Sequence, residues 1–159
     1  MPLTIVSARP TASPLLNEDQ RRQLEALDEI LLHGDGALRV AVEEGARVGH
    51  LLVFLRMTPK VTGFVDAWNQ DRPGISGRLG RERSAYVTDV LVAERSRRRG
   101  VATALLHDAA EISKAVGLRR LVLHVHPSNE AALLLYDKLG FVRGEDTETT
   151  VELVLDLKL

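Results

Sequence analysis

Two stretches of the sequence carry side chains whose types and spacing could do chemistry. In residues 87–106, VTDVLVAERSRRRGVATALL, an apolar run breaks into Arg97, Arg98, Arg99 and Gly100 and then takes up a helical period. Val101, Leu105, Ala109, Ile112 and Val116 fall on one stripe, so Gly100 stands in or just before the first turn of a helix. Backbone N–H groups there lack intrahelical partners and the helix dipole is positive, which makes such a turn a site for an anion. Glycine lets the anion approach the backbone, and the arginines add positive charge beside it. A pyrophosphate fits that description. A charged turn is also, more simply, a solvated turn. The two commonest nucleotide loops are absent: there is no G-x-x-x-x-G-K-S/T, and GDGALR has Arg39 where the dinucleotide fingerprint needs its third glycine.

The second stretch is NEAALLLYDKLGF, residues 129–141. Asn129 and Tyr136 are seven residues apart, which on a helix puts them within about 20° of one face and about 10 Å apart along the axis. Ala132 and Leu133 lie between them on that stripe. Asn129 reads equally as a helix N-cap, and Tyr136 as a core tyrosine with a satisfied hydroxyl. Leu139-Gly140-Phe141 has the form of a glycine-terminated helix end. Three further side chains could move protons. Asp89 is a carboxylate in an otherwise apolar strand, where burial would favour its protonated form, although pairing with an arginine or backbone N–H groups would hold it ionised. His124 and His126 share a side-chain parity on a neighbouring strand, so both could face the same gap, although a lone histidine there is more often core or rim.

The elements that must position these residues follow from periodicity. LTIVSA is a short β-rich run, and NEDQRRQLEALDEILL is an amphipathic helix with Asn17 as its N-cap and Gly34-Asp35-Gly36 as its end. ALRVAVEEGARVGHLLVFLRM reads as a hairpin turning at Glu44-Gly45. Residues 58–84, TPKVTGFVDAWNQDRPGISGRLGRERS, show no sustained period and read as one long loop. After it come a strand (AYVTDVLV), a helix (VATALLHDAAEISKAV), a strand (LRRLVLHVH), a helix (SNEAALLLYDKL) and a last strand (TTVELVLDLKL). Antiparallel hairpin material followed by strand-helix-strand-helix argues an α/β (α+β) domain with a mixed sheet and helices on its faces. The chain of 159 residues is read as a single domain, 1–159.

Composition narrows the function classes. A net charge of −1 argues against a general nucleic-acid binder, because backbone binding needs a surplus of Lys and Arg. With no cysteine there is neither disulfide nor thiolate metal site, and no metal is expected. MPLTIVSARP has no basic region followed by an apolar one, and no segment approaches membrane-spanning length, so the expectation is a cytoplasmic protein without a membrane partner.

Residues 97–102, RRRGVA, match the loop pattern Q/R-x-x-G-x-G/A, and residues 129–141 match N-x-x-A-x-x-x-Y-x-x-x-G-F at every stated position. With these two motifs, and a strand ending in VLV before the first, the sequence resembles the GNAT superfamily of acyl-CoA N-acyltransferases over residues 86–142, roughly a third of the chain. The resemblance implies the GNAT fold: a mixed, mostly antiparallel central sheet of about six to seven strands, with two parallel strands splayed at its centre. It implies acetyl-CoA (acyl-CoA) as co-substrate, lying between the AYVTDVLV and RRLVLHVH strands, with a bulge in the first helping to force them apart. On that basis Val90, Leu91 and Val92 would bind pantetheine, Val90 and Val92 through backbone alone. Arg97, Arg98, Arg99, Gly100, Val101, Ala102 and Thr103 would hold the pyrophosphate, chiefly through backbone amides. Asn129, Ala132 and Tyr136 would also bind the cofactor.

The implied reaction is acetyl transfer to a primary amine of a small molecule or peptide, by direct attack in a ternary complex. A backbone N–H of the splayed strand would stabilise the oxyanion, Tyr136 would protonate the leaving thiolate, and Asp89 would serve as base. The acceptor site would be built from the first helices and residues 58–84, where Trp68 could cap it or anchor the loop. Arg72, Arg78, Arg81 and Arg83 would there favour an anionic acceptor or merely solubilise the loop. A homodimer is compatible with the resemblance. Two other classes stay open: a non-catalytic acyl-CoA-binding sensor or regulatory module, and an unrelated binder of phosphate ligands.

Overall fold

Turn chemistry and capping set the first half of the chain. In the computed structural model, which describes residues 3–10, 17–68, 83–147 and 149–157, strand β1 (Thr4–Ala8) precedes helix α1 (Glu18–Leu32). Asn17 caps α1 with a reciprocal pair: its Oδ1 accepts from the Gln20 N–H at 2.8 Å, and Gln20 Oε1 accepts from the Asn17 N–H at 3.0 Å. The chain returns through β2 (Gly36–Glu43) and β3 (Ala46–Phe54), and Glu44 and Gly45 between them both take positive φ, 53° and 78°. That is the tight turn whose twist suits a two-residue hairpin.

The expected long loop over residues 58–84 is in its first part a helix, α2 (Pro59–Trp68). Proline starts it, Thr58 Oγ1 accepts from the Val61 N–H at 3.2 Å, and Val61, Phe64 and Val65 form its buried face. Those three apolar positions are a helical signature, but one too short to outweigh the glycine, polar and charged residues around it. Of the arginines proposed for that segment, Arg72, Arg78 and Arg81 lie outside the described residues, and Arg83 immediately precedes β4.

The second half runs β4 (Ser84–Val92), a single 3-10 turn (Glu94–Ser96), α3 (Val101–Ala115), β5 (Arg120–Val125), α4 (Glu130–Lys138), β6 (Val142–Arg143) and β7 (Val151–Asp156). All seven strands join one sheet in the order β1-β2-β3-β4-β5-β7-β6. Among the described residues only β4 and β5 pair in parallel, so the sheet is mixed and mostly antiparallel, as expected.

The sheet has a core on each face. On one, Leu27 and Ile30 of α1 and Val61, Phe64 and Val65 of α2 pack on Leu52, Phe54 and Tyr86. The Lys60 ammonium, 2.8 Å from Glu29, ties α2 to α1, and its hydrogen bond holds the Glu29 carboxyl below its usual range. On the other face α3 and α4 cover Leu51, Val53, Ala85, Val87, Leu121 and Leu123. The α3 stripe differs from the one expected beyond its second turn. Val101, Leu105 and Ala109 are buried, but Ser113 takes the next inward place, its hydroxyl donating to the Ala109 carbonyl at 2.7 Å, while Val116 is 58% exposed. Val116 already lies past the last helical residue.

Candidate active site

The site begins where two parallel strands stop pairing. β4 and β5 share three rungs, Ser84 with Arg120, Ala85 with Leu121 and Tyr86 with Val122. Beyond Tyr86 the ladder ends. On its other side β4 stays paired with β3, but Leu52 faces Thr88 whereas His50 faces Leu91. One residue of β3 thus stands against two of β4, a bulge, and Asp89 occupies it with φ 55°. The extra residue inverts the alternation. Without it Asp89 would follow Ala85 and Val87 onto the α3 face; with it, Val90 and Val92 pack against that core instead.

A cleft of about 680 Å³ runs along this opening. Val90, Leu91 and Val92 form the strand wall, and Ser96, Arg97, Arg98 and Gly100 form the turn above it. Val101, Ala102 and Thr103 supply the first turn of α3, while Asn129, Ala131, Ala132, Leu135 and Tyr136 of α4 make the opposite wall. The stripe expected from helical spacing runs through Leu133; the cleft instead meets Ala131 and Leu135, and Leu133 packs against the core.

At the turn, Gly100 is the α3 N-cap with φ 80° and no side-chain cap. Ala104 is the first residue to bond back, to the Gly100 carbonyl at 3.0 Å, so the N–H groups of Val101, Ala102 and Thr103 stay directed at the cleft end. Gly49 of β3 seats this turn: a Cβ there would lie 2.9 Å from the Leu91 carbonyl oxygen and 3.0 Å from Val101 Cγ1. The three arginines part ways. Arg97 and Arg98 line the cleft, with Arg97 Nε donating to the Val92 carbonyl at 3.3 Å. Arg99 does not; its Nη1 lies 3.3 Å from Glu43 Oε1 at the end of β2, so of Arg99 only the backbone remains at the turn.

On α4, Asn129 is the N-cap, its Oδ1 accepting from the Ala132 N–H at 3.2 Å, and it lines the cleft as well. The two readings of this residue coexist, because an amide has a nitrogen to spare when its oxygen caps. Tyr136 is 6% exposed, and its burial pushes the phenol above its ordinary range. The helix end fixes the ring. Gly140, φ 95°, closes a Schellman turn in which the Phe141 N–H donates to the Tyr136 carbonyl at 3.0 Å and the Gly140 N–H to that of Asp137 at 3.1 Å. Phe141 folds back so that its ring centre is 5.4 Å from that of Tyr136, edge to face.

Asp89 is not buried as an apolar strand implies. Its side chain is 38% exposed, and Oδ2 lies 3.1 Å from His50 Nε2. Nothing in the sequence singles out His50. His124 and His126 do not share one gap. His124 is sealed in the sheet, its Nε2 3.4 Å from Glu152 and its ring 5.9 Å from Tyr86, whereas His126 lies past the strand and bonds Ser128. Trp68 stacks on Phe64 at 5.5 Å, an anchor for the end of α2. Among the described residues no group of three or more His, Asp or Glu side chains is placed to hold a metal, and no helix is long and apolar enough to cross a membrane.

Among known protein families, residues 9–141 match the Acetyltransferase (GNAT) family. The chain belongs to that family. Among curated relatives, GCN5-related N-acetyltransferase 6, chloroplastic, of Arabidopsis thaliana is 37% identical over 39% of this chain and 22% of its own length. Mycothiol acetyltransferase of Amycolatopsis mediterranei is 36% identical over 54% and 28%. The match thus spans about a quarter of these two relatives. The PaiA N-acetyltransferase of Thermoplasma acidophilum, solved in complex with coenzyme A, superposes with a TM-score of 0.68 at 12% identity, over 98% of this chain and 99% of that one. The seven-stranded sheet is therefore a GNAT sheet. The two stretches that carry the GNAT motifs, separate in sequence, form facing walls of one cleft.

Proposed function

We propose that this GNAT chain transfers an acetyl (acyl) group from acetyl-CoA to a primary amine of a small molecule or peptide, in a ternary complex and without a metal. The observation that carries the reading is the cleft itself, which leads from the uncapped first turn of α3, down the freed edge of β4, to the phenol of Tyr136. Its parts suit the cofactor in order. The N–H groups of residues 99–103, with Arg97 and Arg98 beside them, suit a pyrophosphate. The strand edge at Val90 and Val92 offers unladdered backbone to the pantetheine amides, with Leu91, Ala132 and the Asn129 amide along the arm.

The amine nitrogen would attack the thioester carbonyl carbon. A C–N bond forms, the C–S bond breaks, and a backbone N–H of the bulged strand takes the oxyanion. Tyr136 passes its proton to the departing sulfur. A raised phenol keeps that proton at neutral pH, and a thiolate of ordinary pKa about 8.5 needs little more than one well-placed donor. Asp89 would accept the proton that an arriving ammonium must lose.

Two measurements test the proposal. Acetyl-CoA and CoA should raise the melting temperature while ATP and NAD do not; if neither CoA species shifts it, the cofactor reading is wrong. Free CoA should appear when acetyl-CoA is mixed with an amine from a panel of amino acids, polyamines, aminoglycosides and peptides with free N-termini. Stabilisation by CoA with no release for any amine would favour a sensor.

A further inference from the structure

We infer that His50 is the positioning residue for the proton acceptor: its Nε2–H holds one oxygen of Asp89, so that the other is presented to the incoming amine. This deepens the acyltransferase reading and rests on it. The pair is set up by backbone, not chance contact. A non-glycine residue at φ 55° costs on the order of 1 kcal/mol and persists only where its surroundings hold it. Aspartate tolerates that conformation better than most residues. The bulge turns Asp89 away from the α3 core, and His50, facing Leu91 across the ladder, receives it at 3.1 Å. An ionised carboxylate can only accept, so the imidazole nitrogen at that distance is the donor.

Position argues for a role in the reaction. Asp89 directly precedes Val90, the start of the cleft's strand wall. His50 shares the parity of Leu52 and Phe54, which face α1 and α2, so the pair stands on the side of the sheet away from the cofactor cleft. Both side chains are about a third exposed, 34% for His50 and 38% for Asp89, open enough for an amine to reach. The competing groups are worse placed. The His124 side chain is fully buried against Glu152, and His126 lies beyond the end of β5.

The proton balance is simple. The ammonium gives one proton to the free oxygen of Asp89 and the neutral amine attacks. As the thiol leaves with the Tyr136 proton, the nitrogen of the adduct loses its second proton through water to the Tyr136 phenolate, and Asp89 releases its own proton to water. His50 keeps its N–H on Oδ2 throughout.

The test compares wild type, Asp89→Asn, His50→Leu and His50→Gln, full-length, by acetyl-CoA-dependent release of CoA with the amine panel and with water alone as acceptor. Asp89→Asn should lower kcat on the order of 10²-fold. His50→Leu should lower kcat about tenfold with KM for acetyl-CoA unchanged, and His50→Gln, which keeps a donor at similar reach, should recover most of it. Leucine as active as wild type, or glutamine no better than leucine, overturns the proposal. So does a wild type that releases no CoA under any condition. Melting shifts with CoA, read on the same samples, report separately on the cofactor reading: their absence in wild type sinks that reading itself, whereas their presence with an indifferent His50 sinks only this inference.

Discussion

Tyr136 illustrates how much a single side chain depends on where its neighbours leave it. Burial raises its pKa, and the raised group is the form a proton donor needs. Tyr136→Phe should therefore lower kcat on the order of 10²-fold while acetyl-CoA affinity, measured by calorimetry, hardly moves. Unchanged turnover would remove the phenol from its role. The same shift has a stability consequence whose sign is fixed. A folded-state pKa above the unfolded value means that the native protein holds a proton the unfolded chain has lost, so stability falls as pH rises past about 10. Urea unfolding between pH 8 and 11 should show that alkaline slope in wild type and a shallower one in Tyr136→Phe. No loss of kcat from this group is expected at pH 7 to 9.

At the scale of elements, two glycines make comparable local demands and should fail differently. At Gly100, φ 80°, and Gly140, φ 95°, an added Cβ would meet no neighbour within 3.4 Å, so alanine at either costs conformational energy and not a clash, about 1 kcal/mol. Gly100→Ala alters the turn proposed to hold the pyrophosphate and should reduce the CoA-induced melting shift. Gly140→Ala loosens the Schellman turn that seats Tyr136 against Phe141 and should instead reduce kcat. Equal effects of both on both readouts would mean that neither glycine acts through its element. The helix ends were readable because their partners lie within five residues: Asn17 with Gln20, Asn129 with Ala132, Phe141 with Tyr136. α2 was missed because its buried residues, Val61, Phe64 and Val65, make so short a pattern amid glycine, polar and charged neighbours.

For the whole molecule, the residue that disqualified the dinucleotide fingerprint turns out to brace the sheet. Arg39 of β2 grips Asp108 of α3 at 2.7 and 2.9 Å, and Ser7 of β1 at 2.7 Å, with the pair 17% and 20% exposed. Arg39→Met should cost roughly 1–3 kcal/mol, because Asp108 is left half-buried without its partner. Asp108→Leu on top should cost little more, a coupling that a double-mutant cycle of urea unfolding would measure. Cofactor acts on the same scale: acetyl-CoA at a hundred times its Kd should add about 2.7 kcal/mol, or roughly 5–10 °C in Tm for a chain of this size.

The sequence by itself determined what neighbours in the chain can settle. It specified the glycine turn, the helix caps around it, the first two turns of the α3 face, the hairpin, and the placing of Asn129 and Tyr136 on one helix side, since hydrogen bonds and periodicity a few residues apart dictate them. Tertiary structure alone decided the rest. Arg97, Arg98 and Arg99 are identical in type, yet Arg99 turns away because Glu43 arrives from another strand. Asp89 looked like a buried strand carboxylate until one inserted residue reversed the alternation and brought it to His50. Which side chain faces which side of a sheet depends on the register between strands distant in sequence, and a slip of one residue there, invisible in composition and period, reassigns every side chain after it.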